Sequence, residues 1–177
     1  MMKTTLALLA AIALVACGKA TETATEKMIE SQMSKDGTQA KVDLSGGGVK
    51  ISTADASGKV SQMEMGLAKV SEADIGLPFY PGTAPKEGEM TKITTPEGSV
   101  VTVMLHSDDA PDKVAGFYRD KLKAGAQGKQ FTDMNTGGSH ILMLGDDKAK
   151  QFTQVTVMKN ESKGSDIQIM ANKGTPK

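Results

Sequence analysis

The sequence predicts an α+β chain: an antiparallel sheet with one helix packed on a face in the C-terminal half, preceded by a small lobe of one helix and a β-hairpin. Three observations carry this. Short runs that alternate apolar and polar residues recur between turns rich in Gly, Pro, Asp and Ser. Strand-length runs meet at hairpin turns such as Pro96-Glu97-Gly98, which makes neighbouring strands antiparallel. One segment, Val114 to Leu122, instead repeats its apolar residues at helical spacing.

Taken in order, Glu26 to Lys35 places Met28, Ile29 and Met33 near one helical face, with Gly37 just past the end, and predicts a short amphipathic helix. Ala40, Val42 and Leu44 alternate, Ser45-Gly46-Gly47-Gly48 turns, and Val49 and Ile51 return: a hairpin. The turn Asp55-Ala56-Ser57-Gly58 leads into a third strand, Val60 to Met65. From Gly66 to Glu89, Pro78, Pro81 and Pro85 with several Gly predict a connector that is neither strand nor helix. Met90 to Thr95 and Ser99 to His106 then flank the Pro96-Glu97-Gly98 turn. The second of these is apolar at both parities (Val100, Val101, Val103, Met104, Leu105), which predicts a central strand.

Asp108, Asp109 and Asp112, with Pro111, open the next helix, and Arg119, Lys121 and Lys123 lie toward its end. Acids therefore meet the positive pole of the helix dipole and bases the negative one. Val114, Phe117, Tyr118 and Leu122 line its apolar face, and Gly125 to Gly128 stop it. Strands are expected at Gln130 to Met134, His140 to Leu144, Phe152 to Met158 and Ile167 to Met170.

Composition excludes several classes of function. The 177 residues carry 21 Lys+Arg and 21 Asp+Glu, with Arg119 the one arginine, so no cationic excess exists to displace counterions from a nucleic acid. A single cysteine closes no disulfide and builds no cysteine-based zinc site.

The start of the chain reads as a targeting signal. Met1, Met2 and Lys3 precede an apolar run from Leu6 to Ala16, too short to span a bilayer and suited to the h-region of a secretory signal. The run ends in Leu14-Val15-Ala16-Cys17, which resembles the lipobox of bacterial lipoproteins. That resemblance implies cleavage before Cys17, a diacylglyceryl group on its sulfur and, as is usual in that family, acylation of its freed amine. The lone cysteine sits where such a signal requires it, while the plain alternative is a signal peptide cut at or near Ala16 that leaves Cys17 an incidental thiol. Two or three acyl chains, at about 0.8 kcal/mol per buried CH₂, would hold the protein stably on a membrane. Gly18 and Lys19 follow, with no Asp after the cysteine, which by resemblance to bacterial sorting rules implies the outer membrane.

The expected organisation is a cleaved signal peptide (1–16), a lipidated N-terminus and tether (17–25), a small lobe (26–70), a Pro/Gly-rich connector (71–89), an antiparallel α+β lobe (90–172) and a flexible tail (173–177). Leu77-Pro78-Phe79-Tyr80-Pro81-Gly82-Thr83-Ala84, together with the helix Val114 to Leu122, resembles a pattern in small, uncharacterised proteobacterial lipoproteins. The resemblance implies an envelope domain of that type and transfers no site residue.

Most candidate chemistry fails on inspection. An acylated Cys17 leaves no thiol nucleophile. Neither G-x-S-x-G nor S-x-x-K occurs, so His106 and His140 lack a marked serine and are expected as hydrogen-bonded or solvated strand-edge residues. Gly46-Gly47-Gly48 lacks the Lys-Ser/Thr of a phosphate loop and is a turn. Asp108, Asp109 and Asp112, or Asp146 and Asp147, lack the spacing of a calcium loop. Met63-Glu64-Met65 sets two thioethers on one strand face, which suits Cu(I), but methionine substituting for scarce Leu and Ile in the core is the simpler account. Rings are scarce: Phe79 and Tyr80 are the ones in a plausible loop, which weakens a sugar-binding reading, and their neighbouring prolines are expected to pin the connector against the core.

The expectation is a periplasm-facing lipoprotein, membrane-bound through its lipid, that serves without catalysis as a binding or structural accessory module, an envelope protein being one candidate partner. It would use no cofactor and no identifiable small-molecule substrate. The alternatives are a Met/His-based copper-binding protein, or a hydrolase whose site is assembled from residues distant in sequence.

Overall fold

A computed structural model describes residues 19–34, 37–66, 68–86 and 88–174. Residues 1–18, and with them the signal peptide and Cys17, lie outside the described residues, as does the end of the tail, 175–177. Nine strands form one antiparallel sheet: β1 (Gln39–Asp43), β2 (Val49–Ala54), β3 (Val60–Met65), β4 (Met90–Thr95), β5 (Gly98–Ser107), β6 (Gln130–Thr136), β7 (Ser139–Asp146), β8 (Gln151–Lys159) and β9 (Ser165–Gly174). Their order across the sheet is β1-β2-β3-β4-β5-β9-β8-β7-β6. The chain walks from one edge to the centre in hairpins and crosses to the far edge through the helix α3 (Pro111–Ala124). It then walks back, so that β9 closes against β5. The α+β architecture is as the sequence predicts, and β5 lies at the centre.

Two further helices lie among the described residues, α1 (Lys19–Met33) and α2 (Glu72–Ile75). Helix α1 begins seven residues before the predicted Glu26, so most of the expected tether is helical. Its first turns lack apolar periodicity, but Ala and Glu favour the helix, and the Thr25 hydroxyl donates to the Thr21 carbonyl. The expectation of a helix-free connector is also overturned. Ser71 caps α2 in a capping box with Asp74, and Gly76 ends it at φ 72°. The hydrogen bonds from the Ser71 hydroxyl and backbone hold the Asp74 carboxyl well down, at about 2.

Apolar burial changes sides across the sheet. In the C-terminal half, Val101, Val103, Leu105, Leu142, Val155, Val157, Ile167 and Ile169 share one face and are buried beneath Val114, Tyr118 and Leu122 of α3. Followed through the ladder, that same face carries Lys41, Asp43, Lys50, Glu64 and Lys92 in the N-terminal half, with Lys50 Nζ 3.0 Å from Glu64. The reverse face holds the second core, in which Ile29 and Met33 of α1 pack on Val42, Leu44, Val49 and Ile51. Each helix covers the face on which its half of the chain places branched apolar residues.

Helix α1 also closes an edge. The outward amides of Ala40, Val42 and Leu44 donate to the Ser34 hydroxyl (3.0 Å), the Glu30 carboxylate (2.9 Å) and the Glu26 carboxylate (2.9 Å). Acceptors spaced four residues apart on a helix thus match amides spaced two apart on a strand, because two strand residues and four helical residues both advance about 6–7 Å. An unpaired edge invites association with another strand, and here it is occupied from within the chain.

Around α3 the rings lock together. Phe117 stands edge-on to Tyr80 and to Tyr118, at 5.3 and 5.0 Å between centroids. The Tyr80 hydroxyl donates to Asp109 at 2.7 Å, which lowers the Asp109 carboxyl, while burial and that carboxylate push the phenol up to about 12. The connector is pinned to the core by the ring of Tyr80, with Phe79 packed alongside.

Candidate functional site

The two histidines do not converge. His106 lies on the reverse face, and His140 on the face beneath α3, with the sheet between them. His106 Nδ1 is 3.1 Å from Asp166 and its Nε2 3.8 Å from Asp108. Asn160 donates to both Asp166 oxygens, and Lys163 reaches Asp108 at 2.9 Å and lowers its carboxyl. This is an exposed polar rim whose charges are already matched. His140, expected at a strand edge, is 4% exposed on an interior strand, and its Nε2 donates to Asp112 in the first turn of α3 at 2.9 Å. The nearby hydroxyls are spent on backbone: Ser107 accepts from the Asp109 amide, and Ser165 donates to the Asp109 carbonyl. Among the described residues no serine is hydrogen-bonded to either histidine, and no group of three His, Cys, Asp or Glu is placed to hold a metal.

The concave features are shallow. A groove of about 230 Å³ between α2, the end of α3 and the sheet is lined by Ile75, Leu77, Leu122 and Leu144, with Lys121 and Lys173 at its rim. A second, of about 370 Å³, lies over Thr132, Met143 and Phe152 near the β7–β8 turn. Gly46-Gly47-Gly48 is a turn between strands, with Gly46 and Gly47 at positive φ.

The methionines overturn one expectation. None of the described methionines is among the buried core residues, where Val, Leu, Ile, Ala and Tyr occupy the space; Met90 and Met33 pack at the margins of the two cores. Branched side chains have few rotamers and fill a sheet–helix interface well, which leaves methionine to partly exposed positions. Met63, Met65, Met104, Met134, Met143, Met158 and Met170 all project from the reverse face. Met134 is 46% exposed.

Register shows how this face is built. One row across its C-terminal half reads Thr102, Met170, Gln154, Met143, Thr132; the next reads Met104, Gln168, Thr156, Ile141, Met134. No described helix lies on these rows, since α3 packs on the other side and α1 on the β1 end. Among the strand residues of the reverse face Asp166, at its rim beside His106, is the sole Asp, Glu, Lys or Arg, in a chain that is 24% charged. Ordinary solvent-facing sheet surface carries Lys and Glu freely, as the other face does in the N-terminal half. An open, uncharged, methionine-bearing sheet face is the feature of this molecule most suited to contact with another one.

Met63 and Met65 share this face, as the sequence predicts, but their cross-strand neighbours are Ile51, Ile93, Val49 and Thr91, none of which ligates soft metals. The signal that could have revealed the face is the second parity of β5, β8 and β9, where Met stands among Thr and Gln and titratable side chains are confined to His106 and Asp166 at one end. Comparison of the chain with known protein families, with curated proteins and with solved structures finds no match in any of the three.

Proposed function

We propose that this chain is a lipid-anchored protein of the bacterial cell envelope, acylated at Cys17, held on the periplasmic side of the outer membrane, and acting as a non-catalytic binding module. The observation that supports binding is the uncharged reverse face between β5 and β6. The histidines, in contrast, are each committed to carboxylates on opposite sides of the sheet. The anchor is supported by the run Leu6 to Ala16 and by the lone cysteine after Leu14-Val15-Ala16.

Two measurements test the two parts. Cys17→Ser should abolish incorporation of labelled palmitate and leave unprocessed precursor; normal processing to a soluble periplasmic form would refute the anchor. For binding, a benzophenone amino acid at Thr156, on the reverse face, should give protein adducts in cells, whereas one at Ser52, on the charged side of β2, should not. Equal yields from the two positions would refute the assignment of the face.

A further inference from the structure

We infer that the reverse face between β5 and β6 is a self-association surface, whose occupant is the same face of a second copy of this chain, stacked sheet on sheet. The inference rests on the reading of that face as the binding surface and names its partner.

The pattern of the face is self-complementary. The row Thr102, Met170, Gln154, Met143, Thr132 reads alike from either end, with Gln154 of β8 at its centre. In the next row Thr156 takes the centre and Met104 and Met134 the ends. A twofold axis running along β8, midway between two stacked sheets, lays β9 over the partner's β7 and β5 over the partner's β6. Under that operation Met170 meets the partner's Met143, Thr102 the partner's Thr132, and Met104 the partner's Met134. Gln154 and Thr156 face their own copies, so two amides and two hydroxyls can hydrogen-bond across the axis. Gln168 over the partner's Ile141 is the unlike pair in these rows. Isologous contacts require a patch that matches itself under rotation, and a heterologous partner imposes no such requirement.

Charge and area agree. Burying an unmatched charge between two sheets is costly, and these two rows contain none, either on the axis or at the positions it brings together. Five strands at about 4.8 Å spacing and seven to ten residues long cover a footprint of roughly 600–700 Å² before side-chain relief is counted. Stable interfaces bury about 800 Å² per partner. Aligned sheet packing also leaves α3 of each copy on the outside, free of the contact, in four layers: helix, sheet, sheet, helix.

Membranes from cells expressing the full chain with Gln154→Cys, treated with a short bismaleimide, test this. Facing sheets lie about 10 Å apart, within reach of such a linker. A self-adduct of twice the chain mass is expected from Gln154→Cys and not from Ser52→Cys. Adding Met143→Lys or, separately, Thr156→Lys should remove the adduct. Both sites are partly exposed, so each variant should keep the circular dichroism of its parent. Absence of the self-adduct from Gln154→Cys, equal adduct from Ser52→Cys, or an adduct that survives both lysines would overturn the second copy as occupant. If the benzophenone at Thr156 then captures a different protein, the face still binds and only its partner was wrong; if it captures nothing, the binding reading fails as well.

Discussion

Replacing Glu30 with alanine removes the carboxylate that accepts the Val42 amide and leaves the rest of β1 paired to β2. A hydrogen bond to a charged group contributes about 1.5–3 kcal/mol, and partial exposure reduces this to about 1 kcal/mol here. Protection of the Val42 amide against hydrogen exchange should therefore fall about fivefold, and Leu44, held by Glu26, should follow by a smaller factor as the helix loosens. Lys41 pairs with Ser52 inside the ladder and should keep its protection. Glu30→Gln, which retains a carbonyl acceptor, should keep most of the Val42 protection. Residue-resolved exchange by NMR reads all of these amides in one experiment. If Val42 exchanges at the same rate in Glu30→Ala and wild type, or if Lys41 and Val42 lose protection together, the side-chain clamp on the edge is refuted.

Four other outcomes are expected. Leu142→Ala, at a fully buried site under α3, should cost about 3 kcal/mol and lower the melting temperature by about 10 °C, measured by calorimetry. Gly164→Ala should cost more than about 2 kcal/mol in denaturant unfolding, because the residue stands at φ 76° and a Cβ there would run into the Ser107 carbonyl. The capping box of α2 contributes stability that is complete above the ordinary carboxylate range near pH 4 and lost as pH falls through about 2, since folding lowers the Asp74 carboxyl; Asp74→Asn should remove that segment of the stability–pH curve, about 1 kcal/mol in height. Met63→Leu/Met65→Leu should leave Cu(I) affinity unchanged in a competition titration, because the two thioethers have no ligating neighbours across the strands.

Legibility in the sequence tracked the kind of force at work. Strands β5, β8 and β9 and helix α3 were readable because burial imposes a period, and Val101, Val103 and Leu105 or Val114, Tyr118 and Leu122 repeat at it. The first turns of α1 were hidden because Thr21 to Glu26 bury little. Their order comes from backbone propensity and from two carboxylates reaching a strand far along the chain. Helix α2 was concealed by the prolines that follow it, although Ser71, Asp74 and Gly76 spell a cap, a box and a stop. The methionines were misjudged for a different reason. Composition alone cannot tell which parity of a strand faces the core, and the methionines of β5, β7, β8 and β9 took the parity that the branched residues left free.

The change of buried side across the sheet gives the molecule two interiors that never meet. The sheet acts as a shared wall: α3 furnishes one side of it and α1 the other, and among the described residues the two buried clusters share no member. Loss of α1 and β1 would leave the room beneath α3 intact and turn β2 into the border of a narrower but still helix-backed sheet. Native-state exchange should accordingly separate into two groups of amides, with β1 to β3 opening at a lower free energy than β5 to β9. Damage at the N-terminal end of this protein would then remain local to it, while the methionine face, carried by the other group, kept its shape.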